Sequence, residues 1–144
     1  MVTRSSLIIL LVSVMLLTAC SAGQAPNATV EIVGNQVQVE GGSYTEVSAP
    51  ELQTMLVDKD FILVNVHIPF EGNIPATDIS IPYDQISQNL EKLPEKTAKI
   101  VLYCRSGRMS TIAAEALVSL GYTNIWELTG GMVAWEQAGL AIDH

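Results

Sequence analysis

Cys104 is the residue of this sequence whose surroundings most suggest chemistry. It sits in Tyr103-Cys104-Arg105-Ser106-Gly107-Arg108-Met109-Ser110, between an apolar run and a stretch of helical periodicity. Four features converge on its sulfur. The cysteine leads into a helix N-terminus, where unpaired N–H groups and the helix dipole favour an anion. The residues that follow are mostly small or polar, and Gly107 lets the backbone curl so that successive amides point inward. Arg105 and Arg108 put two positive charges within a few residues of the thiol. No acid lies between Asp84 and Ser110 except Glu91 and Glu95, and neither is in the loop. Each feature favours a thiolate over a thiol, and the thiolate is the nucleophilic form. Nucleophilic covalent catalysis at sulfur is the chemistry these residue types suit. A buried, inert cysteine is the competing reading; the flanking Arg-Ser-Gly-Arg speaks against it.

The elements that must position this loop can be read around it. Lys99 to Tyr103 is a buried strand ending at the cysteine. Thr111 to Leu120 carries Ile112, Ala113, Ala116, Leu117 and Leu120 at helical spacing, with Gly121 as the stop. Upstream, Ser48-Ala-Pro-Glu51 has capping-box spacing and predicts a helix over 50–57. Phe61 to Val66 is a nearly continuous apolar run, the mark of a central strand covered on both faces. Ile79 to Ile81 is a short strand, Asp84 to Leu93 a helix, Asn124 to Leu128 a strand and Met132 to Ala138 a helix. Val30 to Val39 alternates apolar and polar about Gly34-Asn35, which predicts a β-hairpin. Strands alternating with helices make an α/β fold, with a mainly parallel central sheet and helices on both faces. The active cleft of such a sheet lies at the carboxyl ends of its strands, where Cys104 falls.

The N-terminus carries a different message. Arg4 precedes an apolar run from Leu7 to Leu17, too short to span a bilayer as a helix and suited to a signal-peptide core. Leu17-Thr18-Ala19-Cys20 resembles the bacterial lipobox. That resemblance implies cleavage before Cys20, a diacylglycerol on its sulfur, and a protein held at the cell envelope by lipid, outside the cytoplasm on the periplasmic or extracellular face. The expected organisation is a leader over 1–19, the lipidated Cys20 and a flexible tether over 20–29, a hairpin extension over 30–43 and the main domain over 44–144. Cys104 would then be the only remaining thiol, so an intramolecular disulfide is excluded.

With these motifs on the page, the chain from about Tyr44 to Ile142 resembles a rhodanese-homology domain, a single-domain sulfurtransferase. Cys104-Arg-Ser-Gly107 resembles the start of that family's active-site loop. Leu63 to Ile81 resembles its central strand and the acid, Ile and Pro stretch that follows. Gly121 to Gly139, with Gly130-Gly131 and Trp135, resembles its C-terminal strand, glycine pair and tryptophan helix. The resemblance implies that Cys104 attacks the outer sulfur of a small anionic donor such as thiosulfate, carries a persulfide, and yields the sulfur to a thiol or cyanide acceptor, with no cofactor. Arg105, Ser106, Gly107, Arg108 and Met109 would bind the donor and cradle the persulfide. Many members carry an Asp and an Arg where this chain has Asn65 and His67. Asn65 can still brace loop amides. His67 and Ser110 are read as further support, His67 with acid–base potential.

Composition narrows the alternatives. Among 144 residues, 7 Lys and Arg stand against 15 Asp and Glu, a net charge of −8. That argues against nucleic acid as a partner, since phosphate binding needs a basic face. Two cysteines and two histidines do not make a Cys/His metal cluster, so no metal is expected. A phosphatase built on Cys-x₅-Arg is disfavoured because Ser110 stands six places after Cys104. A non-catalytic anion or sulfur-carrier binding module and a thiol redox partner stay open, because a fold does not fix an activity.

Overall fold

The computed structural model describes residues 31–144. The leader, Cys20 and the tether lie outside the described residues.

Six strands form one sheet: β1 (Asn35–Val39), β2 (Gly42–Val47), β3 (Ile62–Asn65), β4 (Ile79–Ser80), β5 (Ile100–Tyr103) and β6 (Ile125–Leu128). Their spatial order is β1-β2-β6-β5-β3-β4. Within this sheet, among the described residues, β1 and β2 pair antiparallel and the other strand pairs are parallel. Among the described residues, α1 (Ala49–Met55) connects β2 to β3, α2 (Arg108–Ser119) connects β5 to β6, and α3 (Gly131–Gln137) follows β6. The expected α/β class, the mainly parallel sheet and the N-terminal hairpin are all present.

Strand periodicity sorts the core onto two faces. Val64, Ile100, Leu102 and Ile125 point to the side covered by α2, whose Ala113, Ala114, Leu117 and Val118 close that core. Leu63, Val101, Tyr103 and Leu128 point to the other side, covered by Leu52 of α1 and Met132 and Trp135 of α3. Because β5 is central, all four of its residues are buried. The α1 start is the predicted capping box: Ser48 N donates to Glu51 Oε2 at 2.8 Å, and Glu51 N donates back to Ser48 Oγ at 3.4 Å. The Ser48 hydroxyl, donating to Glu51 Oε2 at 2.6 Å, and then the Ser48 N–H hold the Glu51 carboxyl below its ordinary titration range.

Three local expectations are corrected. The hairpin turns at Glu40-Gly41, not at Gly34-Asn35. Gly41, at φ +89°, supplies the left-handed residue, while Gly34 packs so tightly that a Cβ there would meet Thr45 Cγ2 at 2.5 Å. Second, the segment 84–93 is no α-helix. It forms two 3₁₀ stretches, Tyr83–Gln88 and Leu90–Lys92. Asn89 Nδ2 donates to Gln85 O at 2.8 Å, occupying the carbonyl that an α-helical Asn89 N–H would use, and that N–H turns to Ile86 O at 3.2 Å. Third, α2 begins at Arg108 rather than Thr111, so Arg108, Met109 and Ser110 belong to its first turn. Gly107 precedes it at φ +94° with no capping side chain.

Candidate active site

Cys104 follows β5 directly and is 1% exposed. It continues the alternation of Ile100 and Leu102, so its side chain belongs to the core under α2. Gly107 N donates to Cys104 Sγ at 3.1 Å, and Ser110 Oγ lies 3.4 Å from the same sulfur. The first helical bond of α2 runs from Thr111 N to Gly107 O at 2.9 Å. The amides before it are the unpaired donors of a helix start, and the Gly107 amide that precedes them is the one bonded to the sulfur.

The loop is pinned from the α3 side. Met132 N donates to Cys104 O and Val133 N to Arg105 O, both at 2.9 Å. Gly131, at φ +57°, permits this approach, as the glycine pair in the sequence suggested.

The loop cations are unequal. Arg105 Nε lies 3.1 Å from Glu71 Oε2, and its Nη1 is 3.9 Å from Glu136 Oε2. Arg108 is exposed and makes no ion pair among the described residues. Ser106 is exposed, and Met109 packs half-buried against the core under α2. The acids near Arg105 come from other segments, which a search of the loop sequence alone does not reveal.

Asn65, at the end of β3, is buried and braces the neighbouring loop. Its Nδ2 donates to Gly72 O at 2.9 Å and Asn73 Oδ1 at 3.0 Å, and its Oδ1 accepts from His67 N at 2.9 Å. The His67 ring is almost enclosed, with neither nitrogen hydrogen-bonded, and Nε2 stands 3.5 Å from Glu71 Oε2. Glu71 thus lies between His67 and Arg105. The same loop is tied to the C-terminal segment by paired backbone bonds between Asn73 and Asp143. Beneath it, the buried Tyr103 hydroxyl accepts from Ile74 N at 3.0 Å and stands 2.8 Å from Thr77 Oγ1. Burial raises the Tyr103 phenol above its ordinary range.

One residue of the site escaped sequence reasoning. Glu127 of β6 is 1% exposed, and its Oε1 accepts from Ser110 Oγ at 2.6 Å. Burial pushes its carboxyl up to about 7. A signal was available: Glu127 shares the inward face of a central strand with Ile125, and an acid at such a position needs a partner. No cluster suited to a metal occurs among the described residues.

A family model of the rhodanese-like domain matches residues 48–138. A sulfurtransferase of Allochromatium vinosum is 35% identical over 101 residues, covering 67% of this chain and 92% of that protein. An uncharacterised protein of Synechocystis is 38% identical over 96 residues, covering 64% of this chain and 52% of that protein. The chain spans about half to two thirds of the length of that and other curated relatives. A crystal structure of a rhodanese-like domain protein from Staphylococcus aureus superposes with a TM-score of 0.58 at 30% identity, covering 69% of this chain and 98% of that one. The match spans α1 to α3, the segment in which strand end, cysteine loop and glycine pair are assembled, and on it the chain belongs to the rhodanese-like domain family.

Proposed function

We propose that this protein is a sulfurtransferase that moves sulfane sulfur from a small anionic donor, such as thiosulfate, to a thiol or cyanide acceptor through a persulfide on Cys104. The observation that carries the reading is the Cys104 sulfur itself, set at the carboxyl end of the central strand with the Gly107 amide 3.1 Å away. The sulfurtransferase of Allochromatium vinosum among its relatives supports it.

The chemistry balances without an external oxidant or a cofactor. The Cys104 thiolate attacks the outer sulfur of thiosulfate. A new S–S bond forms to Cys104, the donor's own S–S bond breaks, and sulfite leaves with the electron pair. An acceptor nucleophile then takes the outer sulfur, and the electron pair of the broken bond returns to Cys104 as thiolate. The amides of Arg105 to Met109 are assigned to cradle the persulfide. Arg108 attracts the donor against the field of an acidic chain. Cys104 is itself enclosed, so a bulky acceptor meets only the outer sulfur, one S–S bond of about 2.05 Å further out.

The reading includes placement at the cell envelope by lipid on Cys20, which rests on the leader sequence. Fractionation of the full chain expressed in a bacterium tests it: the wild type is expected in membranes and Cys20→Ala outside them, and equal partition of the two overturns it.

The central test is intact-protein mass spectrometry after thiosulfate. One added sulfur on the wild type, absent from Cys104→Ser and removed by cyanide, is the expected result. No addition to a folded chain with a free thiol overturns thiosulfate as donor.

A further inference from the structure

We propose that Glu127 is a positioning residue for the Cys104 sulfur, acting through the Ser110 hydroxyl, and that its charge decides whether that hydroxyl donates to the sulfur. The proposal rests on the reading of Cys104 as the reactive sulfur and concerns how its anion is held.

The geometry sets a competition. Ser110 Oγ stands 2.6 Å from Glu127 Oε1, 2.9 Å from Gly107 O and 3.4 Å from Cys104 Sγ. All three are acceptors when Glu127 is ionised, and a serine hydroxyl has one hydrogen to give. An ionised carboxylate is the strongest of the three, and 2.6 Å is the length of an O–H···O⁻ bond. Ionised Glu127 therefore takes the hydrogen, and the sulfur loses its hydroxyl donor. Protonated Glu127 reverses the bond: its own O–H donates to Ser110 Oγ, and the serine hydrogen turns to the sulfur or to Gly107 O. The proton lost on ionisation goes to bulk water. The charge left behind also opposes an anion on sulfur, so both effects have one sign.

The groups around Glu127 leave it free to switch. From β2, Glu46 stands opposite it in register, and Tyr44 faces the same side. From β5 the register partner is the apolar Leu102. From α2 and its approach come Ser110 and Gly107, with the Cys104 sulfur 3.4 Å beyond the Ser110 hydroxyl. Glu127 has no ion pair among the described residues. Enclosure and the Glu46 charge disfavour its ionised form, placing the change near neutral pH, at about 7.

The test is the rate of Cys104 alkylation by iodoacetamide on the full chain, followed peptide by peptide so that Cys20 is counted separately. Rates are taken from pH 5 to 9 and normalised to the high-pH plateau. Glu127→Gln keeps the shape and is permanently neutral. It is expected to alkylate at least about threefold faster than the wild type at pH 7.5, with a profile of one step where the wild type shows the two steps of a coupled pair. Ser110→Ala is expected to slow alkylation at pH 6, where the hydroxyl serves the sulfur, and to reduce the Glu127→Gln effect when the two are combined. Identical profiles for wild type and Glu127→Gln overturn the proposal. So does an undiminished Glu127→Gln effect without Ser110, which would reduce Glu127 to a distant charge. Should Glu127→Gln not fold, an unchanged rate for Ser110→Ala at pH 6 is the overturning result. Alkylation needs no sulfur donor, so a chain that shows these shifts yet takes no sulfur from thiosulfate fails the sulfurtransferase reading and not this one.

Discussion

A Cβ placed on Gly131 would lie 2.2 Å from the carbonyl oxygen of Cys104. The Cys104 loop and the start of α3 are thus packed backbone against backbone, and that contact fixes where the cysteine sits. Gly131→Ala must open this contact and also hold alanine at φ +57°, a conformation that costs about 1–2 kcal/mol before any clash is counted. The expected loss is at least about 2 kcal/mol, roughly 10 °C in Tm for a domain of this size. Sulfur uptake from thiosulfate should fall more than tenfold even where the variant is folded, as the loop amides lose their register. A variant as stable and as active as the wild type would show that the loop does not depend on this contact.

The loop cations differ in what holds them. Arg105 is tied to Glu71 at 3.1 Å, whereas Arg108 is exposed and without an ion pair among the described residues. Arg108→Gln is therefore expected to raise the KM for thiosulfate about 3–10-fold at low ionic strength and to leave kcat nearly unchanged. The effect should shrink as salt shortens the Debye length from about 30 Å at 0.01 M to about 8 Å at 0.15 M. Arg105→Gln should show the weaker salt dependence, because Glu71 already offsets its field. Steady-state kinetics at the two ionic strengths check this, and a KM for Arg108→Gln that ignores salt would remove it from donor capture.

Much of this arrangement was legible in the residues. Apolar runs at 61–66 and 99–103 announced the central strands, and Ser48 with Glu51 announced the α1 cap. The start of α2 was not legible, because its leading residue is a left-handed glycine rather than Ser, Thr, Asp or Asn, and apolar spacing begins only at Ile112. Charge was misjudged for a related reason. The loop sequence holds no acid, yet Glu71 and Glu136 arrive from a distant loop and from α3, and Glu127 from β6. Sequence spacing reports neighbours along the chain, while the field at a site is set by neighbours across the fold.

Tyr103 joins β5 to the loop that carries His67 and Glu71. Its hydroxyl is the acceptor for the buried Ile74 amide at 3.0 Å. Tyr103→Phe leaves that amide unpaired and is expected to cost about 1–3 kcal/mol. Urea denaturation measures it. The Cys104 loop itself should survive, so sulfur uptake by the folded variant should stay within about threefold of wild type. A cost near zero would mean that Ile74 N finds another acceptor.

Glu127 makes stability depend on pH in a direction that can be worked out. Burial raises its carboxyl from the 4.5 of a solvated glutamate to about 7 in the fold. Between those values the folded state holds a proton that the unfolded state has released, so stability falls as pH rises. The contribution is complete below pH 4.5, declines through the interval and is lost above about 7. The span is about 3 kcal/mol, at about 1.4 kcal/mol for each unit of displacement. Glu127→Gln has no proton to lose and removes this slope while keeping a partner for Ser110. Urea denaturation of the wild type and Glu127→Gln from pH 5 to 8 should therefore show a gap that widens with pH in favour of the variant, by about 3 kcal/mol at most. A gap that stays constant across that range would mean that Glu127 titrates alike in the folded and unfolded chains, and that its enclosure beside Ser110 carries no electrostatic cost.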